Sequence, residues 1–247
     1  MRVRLAAGWP VGVAGMPHHP VTRGALCPLG FGAHQLNWHP RRLRQILHRG
    51  QPASWTDALA AFLRASEEGP IAIVDGWPRR AASAVFEDFS TQHGGAYCVH
   101  LTPEERSLAL YAKWSGVSAT ALGYDLENAR TLASFGAPLL DGWGAPGRLT
   151  RLWSERAAGM TEPDLRLIQV EPKLSRTANG AWRWVRVSEG SEAALAAGLA
   201  RVLIEERLVH AQGPVPTTTL AQCAARTGLD VDAIRELART MAARPPW

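Results

Sequence analysis

Apolar positions recur along the chain with two periods, and they divide it into strands and helices. The run Leu165-Arg-Leu-Ile-Gln-Val-Glu is short, rich in Leu, Ile and Val and bounded by polar residues, which predicts a buried strand. Trp184-Val-Arg-Val-Ser alternates and predicts a second. Ile71-Ala-Ile-Val-Asp, Tyr97 to Leu101 and Arg130-Thr-Leu-Ala-Ser-Phe-Gly predict three more. Arg2 to Val13 alternates around Ala7-Gly8 and predicts a hairpin.

Longer segments carry the helical period and its stop signals. Ser54 precedes a helix running to about Glu68, with Asp57 placed for a capping box. A helix from about Arg79 to Gln92 stops at Gly94-Gly95. Thr102-Pro-Glu-Glu is a second capping box with Pro at the first helical position, and its helix ends at Gly116. Asp125 to Ala129 predicts a turn of helix, and Gly147 to Ala158 a full one. A long Ala/Leu helix opens near Glu189 and runs to about Leu208. Two more cover Thr218 to Arg226 and Asp230 to Ala243, before the chain closes on Arg-Pro-Pro-Trp. Strands alternating with helices of this length predict an α/β protein, a mainly parallel sheet with flanking helices. In such sheets ligands bind outside the carboxyl ends of the strands. The loop Glu171-Pro-Lys-Leu-Ser-Arg-Thr-Ala-Asn-Gly is therefore the place to look for a site.

Composition narrows the function. At 247 residues and 46% apolar, the chain is long enough to bury a sizeable core. Its charge of +5 is carried almost wholly by arginine, since Lys113 and Lys173 are the only lysines. No basic run is interleaved with aromatics, so no nucleic-acid partner is expected. Cys27, Cys98 and Cys223 are far apart in sequence, which predicts neither a disulfide framework nor a zinc site. No apolar run is long enough for a membrane span, and the first residues lack the apolar region of a signal peptide. Ten tryptophans are many for this length, and Trp is enriched at protein interfaces.

Three stretches, taken together, resemble the molybdopterin oxidoreductase superfamily, the dimethyl sulfoxide reductase and formate dehydrogenase group. The first is Gly15-Met-Pro-His-His-Pro-Val-Thr-Arg-Gly-Ala-Leu-Cys-Pro-Leu-Gly, whose Cys27 falls at the family's fourth iron–sulfur ligand. The second is Tyr124-Asp-Leu-Glu-Asn-Ala with Ser134-Phe-Gly-Ala-Pro. The third is Gln169-Val-Glu-Pro-Lys-Leu-Ser-Arg-Thr-Ala with the later Glu189-Gly-Ser-Glu. Their wording is similar to the cofactor-free molybdopterin-like subunits of alternative complex III and menaquinone reductase complexes. The resemblance implies residues 1–50 as the remnant of an iron–sulfur domain and 51–247 as an incomplete molybdopterin-oxidoreductase-like α/β domain.

By the same resemblance, Gly136, Glu171, Lys173, Ser175, Thr177, Gly190 and Glu192 occupy cofactor-binding positions in vestigial form. Glu171 and Lys173 stand where the family has Asp and Arg, and lysine cannot reproduce a guanidinium fork. Trp182 replaces a small acidic residue and is expected to fill an emptied pocket. Cys27 has no sequence-adjacent thiolates, so no metal is expected there, and it is expected to be a buried apolar residue. Cys98, beside His100, falls near the family's metal-ligand position, but a lone Cys in an apolar strand is expected in the core. The function implied is a non-catalytic scaffold, without its own cofactor, in a membrane-associated quinone-linked complex. Its partners would be iron–sulfur and cytochrome subunits, on the periplasmic face. The alternative is one part of a split molybdenum or tungsten enzyme that holds molybdopterin guanine dinucleotide with a second chain.

Overall fold

The computed structural model describes residues 1–78, 80–118, 122–210 and 215–245. The expected helix start at Arg79 lies outside them, as does the chain end at 246–247. In chain order the elements begin with the hairpin β1 (Arg2–Ala6) and β2 (Trp9–Ala14) and the short helix α1 (Pro28–Gly32). A second hairpin, β3 (Ile46–His48) and β4 (Gln51–Ala53), precedes α2 (Trp55–Glu68), β5 (Ala72–Asp75), α3 (Ala81–Gln92), β6 (Ala96–Val99) and α4 (Pro103–Ser115). Then follow β7 (Thr131–Phe135), α5 (Pro146–Arg156), β8 (Arg166–Val170), α6 (Arg176–Asn179), β9 (Arg183–Val185), α7 (Glu192–Glu205), α8 (Leu220–Thr227) and α9 (Val231–Ala242). The mainly parallel α/β class is the one the apolar pattern predicts.

The chain forms two compact units, Met1–Gln35 with Tyr124–Trp247, and Leu36–Gly123. In the first, β7, β8 and β9 make a parallel sheet with β8 central. Alternation along β8 sends Leu167 and Gln169 to one face and Ile168 and Val170 to the other. Leu167 packs with Leu126, Leu139, Leu149 and Leu152, the last two from α5. Ile168 and Val170 pack with Leu195, Leu199 and Val202 of α7 and with Cys223, Ile234 and Leu237 of α8 and α9. Both faces are thus covered, as parallel sheets require. Gly198 makes the α7–α8 contact possible, because a Cβ there would lie 2.5 Å from Cys223 Sγ.

The second unit is built on the parallel pair β5–β6. Its strongest polar contact is Asp75, at the end of β5. The Asp75 carboxylate accepts from Ser83 Oγ (2.7 Å), Tyr97 OH (2.9 Å) and the Trp77 N–H (2.9 Å), and Arg80 stands 3.4 Å away. These donors, Ser83 first, hold its carboxyl down at about 2. The carboxylate fixes the start of α3 against the strand.

Two local expectations change. Asp125 to Ala129 is a turn rather than a turn of helix, because the Asn128 amide closes it onto both Asp125 oxygens (3.0 and 2.8 Å). The loop after β8 contains α6, capped by Ser175, whose Oγ accepts from the Ala178 N–H at 3.1 Å.

Candidate functional site

The loop residues singled out from sequence gather at the carboxyl edge of the β7–β8–β9 sheet. β8 delivers Gln169 and Glu171 to the α5 side of that edge, where Gln169 is fully buried and Glu171 8% exposed. Glu171 Oε2 accepts from Gln169 Nε2 (2.9 Å), and its Oε1 accepts from the Ser175 N–H (3.2 Å). Gln169 Nε2 also donates to the Ala137 carbonyl (3.2 Å), which fixes the amide's orientation. Its Oε1 is buried with no protein partner. The Trp184 indole N–H donates to the Glu171 carbonyl (3.0 Å), tying β9 to the same corner.

Two further bonds join the loops after β7 and β8. Gly136, at φ +69°, donates its N–H to the Val170 carbonyl (2.9 Å). The Thr177 hydroxyl oxygen accepts from the Leu140 N–H (3.1 Å), and Thr177 is fully buried. Gly136, Glu171, Ser175 and Thr177 therefore form one hydrogen-bonded corner. Lys173 is exposed and makes no hydrogen bond or ion pair among the described residues. Gly190 (φ +74°) and the half-buried Glu192 follow β9 and open α7, and no described bond links them to the corner.

A cleft of about 410 Å³ lies beside the corner, lined by Leu140, Thr150, Trp153, Arg176, Asn179 and Gly180. Trp153, from α5, donates its indole N–H to the Gly180 carbonyl at 2.7 Å. A Cβ on Gly180 would meet Leu140 at 2.9 Å and the Trp153 ring at 3.3 Å, so glycine is needed for this close approach. Arg176 faces the cleft half-exposed, 3.4 Å from Asp141. Trp153 and Gly180 were not among the predicted residues. Only the Asn179-Gly180 pair signalled a tight turn here.

Three expectations about single residues are corrected. Trp182 does not fill a pocket at this edge. The α6 crossover carries the chain back so that β9 runs parallel to β8, and Trp182 then precedes β9 and stacks on the Arg166 guanidinium, 4.5 Å from the ring centre. Cys27 is half-exposed rather than buried and lines a separate cleft of about 260 Å³ with Met16, His19 and Pro146. Cys98 is exposed and not in a core. His19 Nδ1 accepts from the Val21 and Thr22 N–H groups (3.3 and 3.1 Å), closing its turn as the Pro/His motif implies. Among the described residues no group of three or more His, Cys, Asp or Glu side chains is placed to hold a metal ion.

The corner gives one direct prediction. Thr177→Val keeps the side chain's shape but removes the acceptor for the Leu140 N–H. The expected loss is about 1–3 kcal/mol in urea unfolding. A change under about 0.5 kcal/mol would mean that this bond does not hold the two loops together.

A doubly covered parallel sheet with a hydrogen-bonded corner at its carboxyl edge defines the class of α/β proteins that carry ligands there. No family model matches the chain. Over 98% of its length it is 29% identical to the menaquinone reductase, molybdopterin-binding-like subunit of Nitratidesulfovibrio vulgaris, spanning 37% of that protein. Over 90% it is 26% identical to a sulfite dehydrogenase polypeptide of Allochromatium vinosum, spanning 24% of it. The fold matches acetylene hydratase from Pelobacter acetylenicus with a TM-score of 0.57 at 18% identity, covering 92% of this chain and 35% of that one. The chain is similar along nearly its whole length to proteins of the molybdopterin oxidoreductase superfamily, that of dimethyl sulfoxide reductase, and spans a minor part of the length of these relatives.

Proposed function

We propose that the chain is a non-catalytic, molybdopterin-oxidoreductase-like scaffold subunit of a quinone-linked respiratory electron-transfer complex. The observation that carries this reading is the self-satisfied corner. The family binds molybdopterin, and a chain that holds such a group needs polar side chains free to reach it. Here Thr177 is fully buried, Glu171 is nearly so, and both oxygens of its carboxylate serve the chain's own groups. Lys173, Ser175, Gly190, Glu192 and Gly136 are more open to solvent, but Ser175 Oγ already caps α6. The internal use of Glu171, Ser175 and Thr177 supports a corner that does not hold the group, and no chemical step is assigned to it.

Residues 1–50 are read as the remnant of an iron–sulfur module, with Cys27 at a former ligand position. In this reading its partners are iron–sulfur and cytochrome subunits, with membrane association through them at the periplasmic face; the similarity to a menaquinone reductase subunit supports only the place in a multi-subunit assembly. Among the described residues no helix is long and apolar enough to cross a membrane.

One observation favours a second reading, a split molybdenum or tungsten enzyme. The cleft beside the corner is large and presents Arg176 and Asn179, groups able to bind an anionic, hydrogen-bonding ligand such as molybdopterin guanine dinucleotide. The test is elemental and pterin analysis of the protein in its native assembly. Iron with neither molybdenum, tungsten nor pterin is expected. Stoichiometric molybdenum or tungsten with pterin would overturn the scaffold reading in favour of the split enzyme.

A further inference from the structure

Charge is distributed unevenly along the chain. Residues 1–56 contain seven arginines and no Asp or Glu, so they are more positive than the whole chain at +5, and residues 57–247 together are slightly acidic. In the second unit the excess is concentrated in His39-Pro-Arg-Arg-Leu-Arg-Gln-Ile-Leu-His-Arg, residues 39–49. Arg41, Arg42 and Arg44 precede β3, and Arg49 sits at the tip of the β3–β4 hairpin. All four are exposed, and their side chains make no hydrogen bond or ion pair among the described residues. Arg148, Arg151, Arg201 and Arg239, by contrast, all meet carboxylates. The acid next in sequence, Asp57, is engaged by Ser54, whose Oγ donates to its Oδ2 at 2.6 Å.

The backbone that carries these arginines is ordered. His39 Nδ1 accepts from the Arg41 N–H (3.2 Å), and the His39 carbonyl accepts from the Arg42 N–H (3.0 Å). Arg49 and Gly50, at φ +51° and +81°, form the two-residue turn that closes β3 on β4. Binding through such a segment costs less ordering entropy than binding through a disordered tail.

Leucines, rather than aromatics, stand between the cations. Leu43 is 83% exposed between Arg42 and Arg44, and Leu47 is 50% exposed on β3. Trp55 is 73% exposed where α2 follows β4. An exposed leucine alone is ordinary. Exposed leucines flanked by unpaired guanidiniums suit the interface of a bilayer with anionic headgroups. There the guanidiniums meet phosphate, and leucine and tryptophan leave water at the acyl boundary. An acidic protein surface would use the charge and leave Leu43 without a role. Single-stranded nucleic acid is best held by aromatic faces on which bases stack, and leucines offer none.

We propose that residues 39–49, with Trp55, form a peripheral contact with anionic phospholipid, made by this chain itself. The contact goes beyond the scaffold role, in which membrane association runs through partner subunits. It is independent of whether any pterin is bound.

The test is flotation of the full chain with phosphatidylcholine vesicles, with and without phosphatidylglycerol. Binding that needs phosphatidylglycerol and weakens with added salt is expected. The triple variant R41Q/R42Q/R44Q should partition about a hundredfold more weakly, about fivefold for each arginine. R106Q/R186Q/R226Q removes the same charge from other exposed arginines and should change partitioning less than about threefold. Leu43→Ser should weaken it by about threefold or more with the salt dependence unchanged. Equal binding to both kinds of vesicle would overturn the proposal, as would equal losses in the two triple variants or undiminished binding by L43S. Binding to duplex DNA without binding to vesicles would overturn it in favour of a nucleic acid. In the native assembly, phosphatidylglycerol vesicles should slow trypsin cleavage after Arg41, Arg42 and Arg44 at least tenfold. Cleavage already blocked there without vesicles would overturn the proposal in favour of a protein neighbour. Molybdenum or tungsten with pterin in that assembly would sink the scaffold reading and leave the lipid contact standing, and failure to bind vesicles would do the reverse.

Discussion

Leu195→Ala is expected to lower the stability of the β7–β8–β9 unit by about 2–5 kcal/mol, the range for a leucine truncated in a closed core. Leu195 sits on α7, is fully buried, and shares one apolar cluster with Ile168 and Val170 from β8 and with Ile234 and Leu237 from α9. Its removal leaves a void that helices on one side and a hydrogen-bonded sheet on the other are poorly able to close. The measurement is urea unfolding followed by far-UV circular dichroism. Leu59→Ala is the control, because Leu59 is 46% exposed on α2 and its truncation should cost no more than about 0.5 kcal/mol. Equal effects at the two positions would mean that the chain has no differentiated core around α7.

That contrast between the units also marks what the sequence could reveal. Helices with both a cap and a stop were legible: Ser54, Thr102, Thr219 and Asp230 each cap a helix through an accepting side chain. The strands of the covered sheet were legible because burial on both faces leaves a run of Leu, Ile and Val. The hairpin β3–β4 was not, since strands of three residues are too short to display alternation. Nor was α6, a single turn nucleated by Ser175 rather than by periodicity. In β5 and β6 the same apolar pattern that signals burial belongs to residues such as Val74 and Cys98 that this chain leaves exposed. Pattern reports which side chains want cover, and not whether the cover is present.

At the candidate site, residue order reveals position without state. It locates the loop after β8 and most of the residues that meet there. It could not show that Thr177 is spent on the Leu140 N–H, or that Glu171 faces inward toward Gln169. The first depends on a contact between loops 37 residues apart, and the second on the Ala137 carbonyl, 32 residues from Gln169, which fixes the amide that Glu171 meets; no local spacing encodes either. Trp182 failed for a related reason. Its displacement to the far edge follows from the parallel pairing of β9 with β8, a property of topology and not of neighbouring residues.

The Tyr124-Asp-Leu-Glu-Asn-Ala stretch that contributed to the resemblance turns out to be an anchor, and it carries the second large prediction. Glu127 receives hydrogen bonds from Arg148 and from Arg151 (3.0 Å), both on α5. Arg148 also donates to the Tyr124 carbonyl (2.9 Å), and Arg156 to the carbonyls of Leu126 (3.1 Å) and Glu127 (2.8 Å). The motif thus clamps α5 along one side and fixes the helix that covers the α5 face of the sheet. The Arg148 hydrogen bonds, helped by the charges of Arg148 and Arg151, hold the Glu127 carboxyl down at about 2 from its ordinary 4.5. The folded-state value is the lower one, so the stabilisation is fully present above pH 4.5 and is lost as the pH falls toward 2. Glu127→Ala strands Arg151, whose side chain is 7% exposed and whose Nε already lacks a partner. Breaking a fully buried pair costs about 3–5 kcal/mol. Glu127 is 38% exposed and Arg151 keeps Glu155, so solvent screening brings the expected loss to about 1–3 kcal/mol. Urea unfolding at pH 6 and at pH 2.5 should show a smaller difference between the two pH values for E127A than for the parent chain. An unchanged difference would place the acid sensitivity elsewhere and reduce the motif to a surface turn.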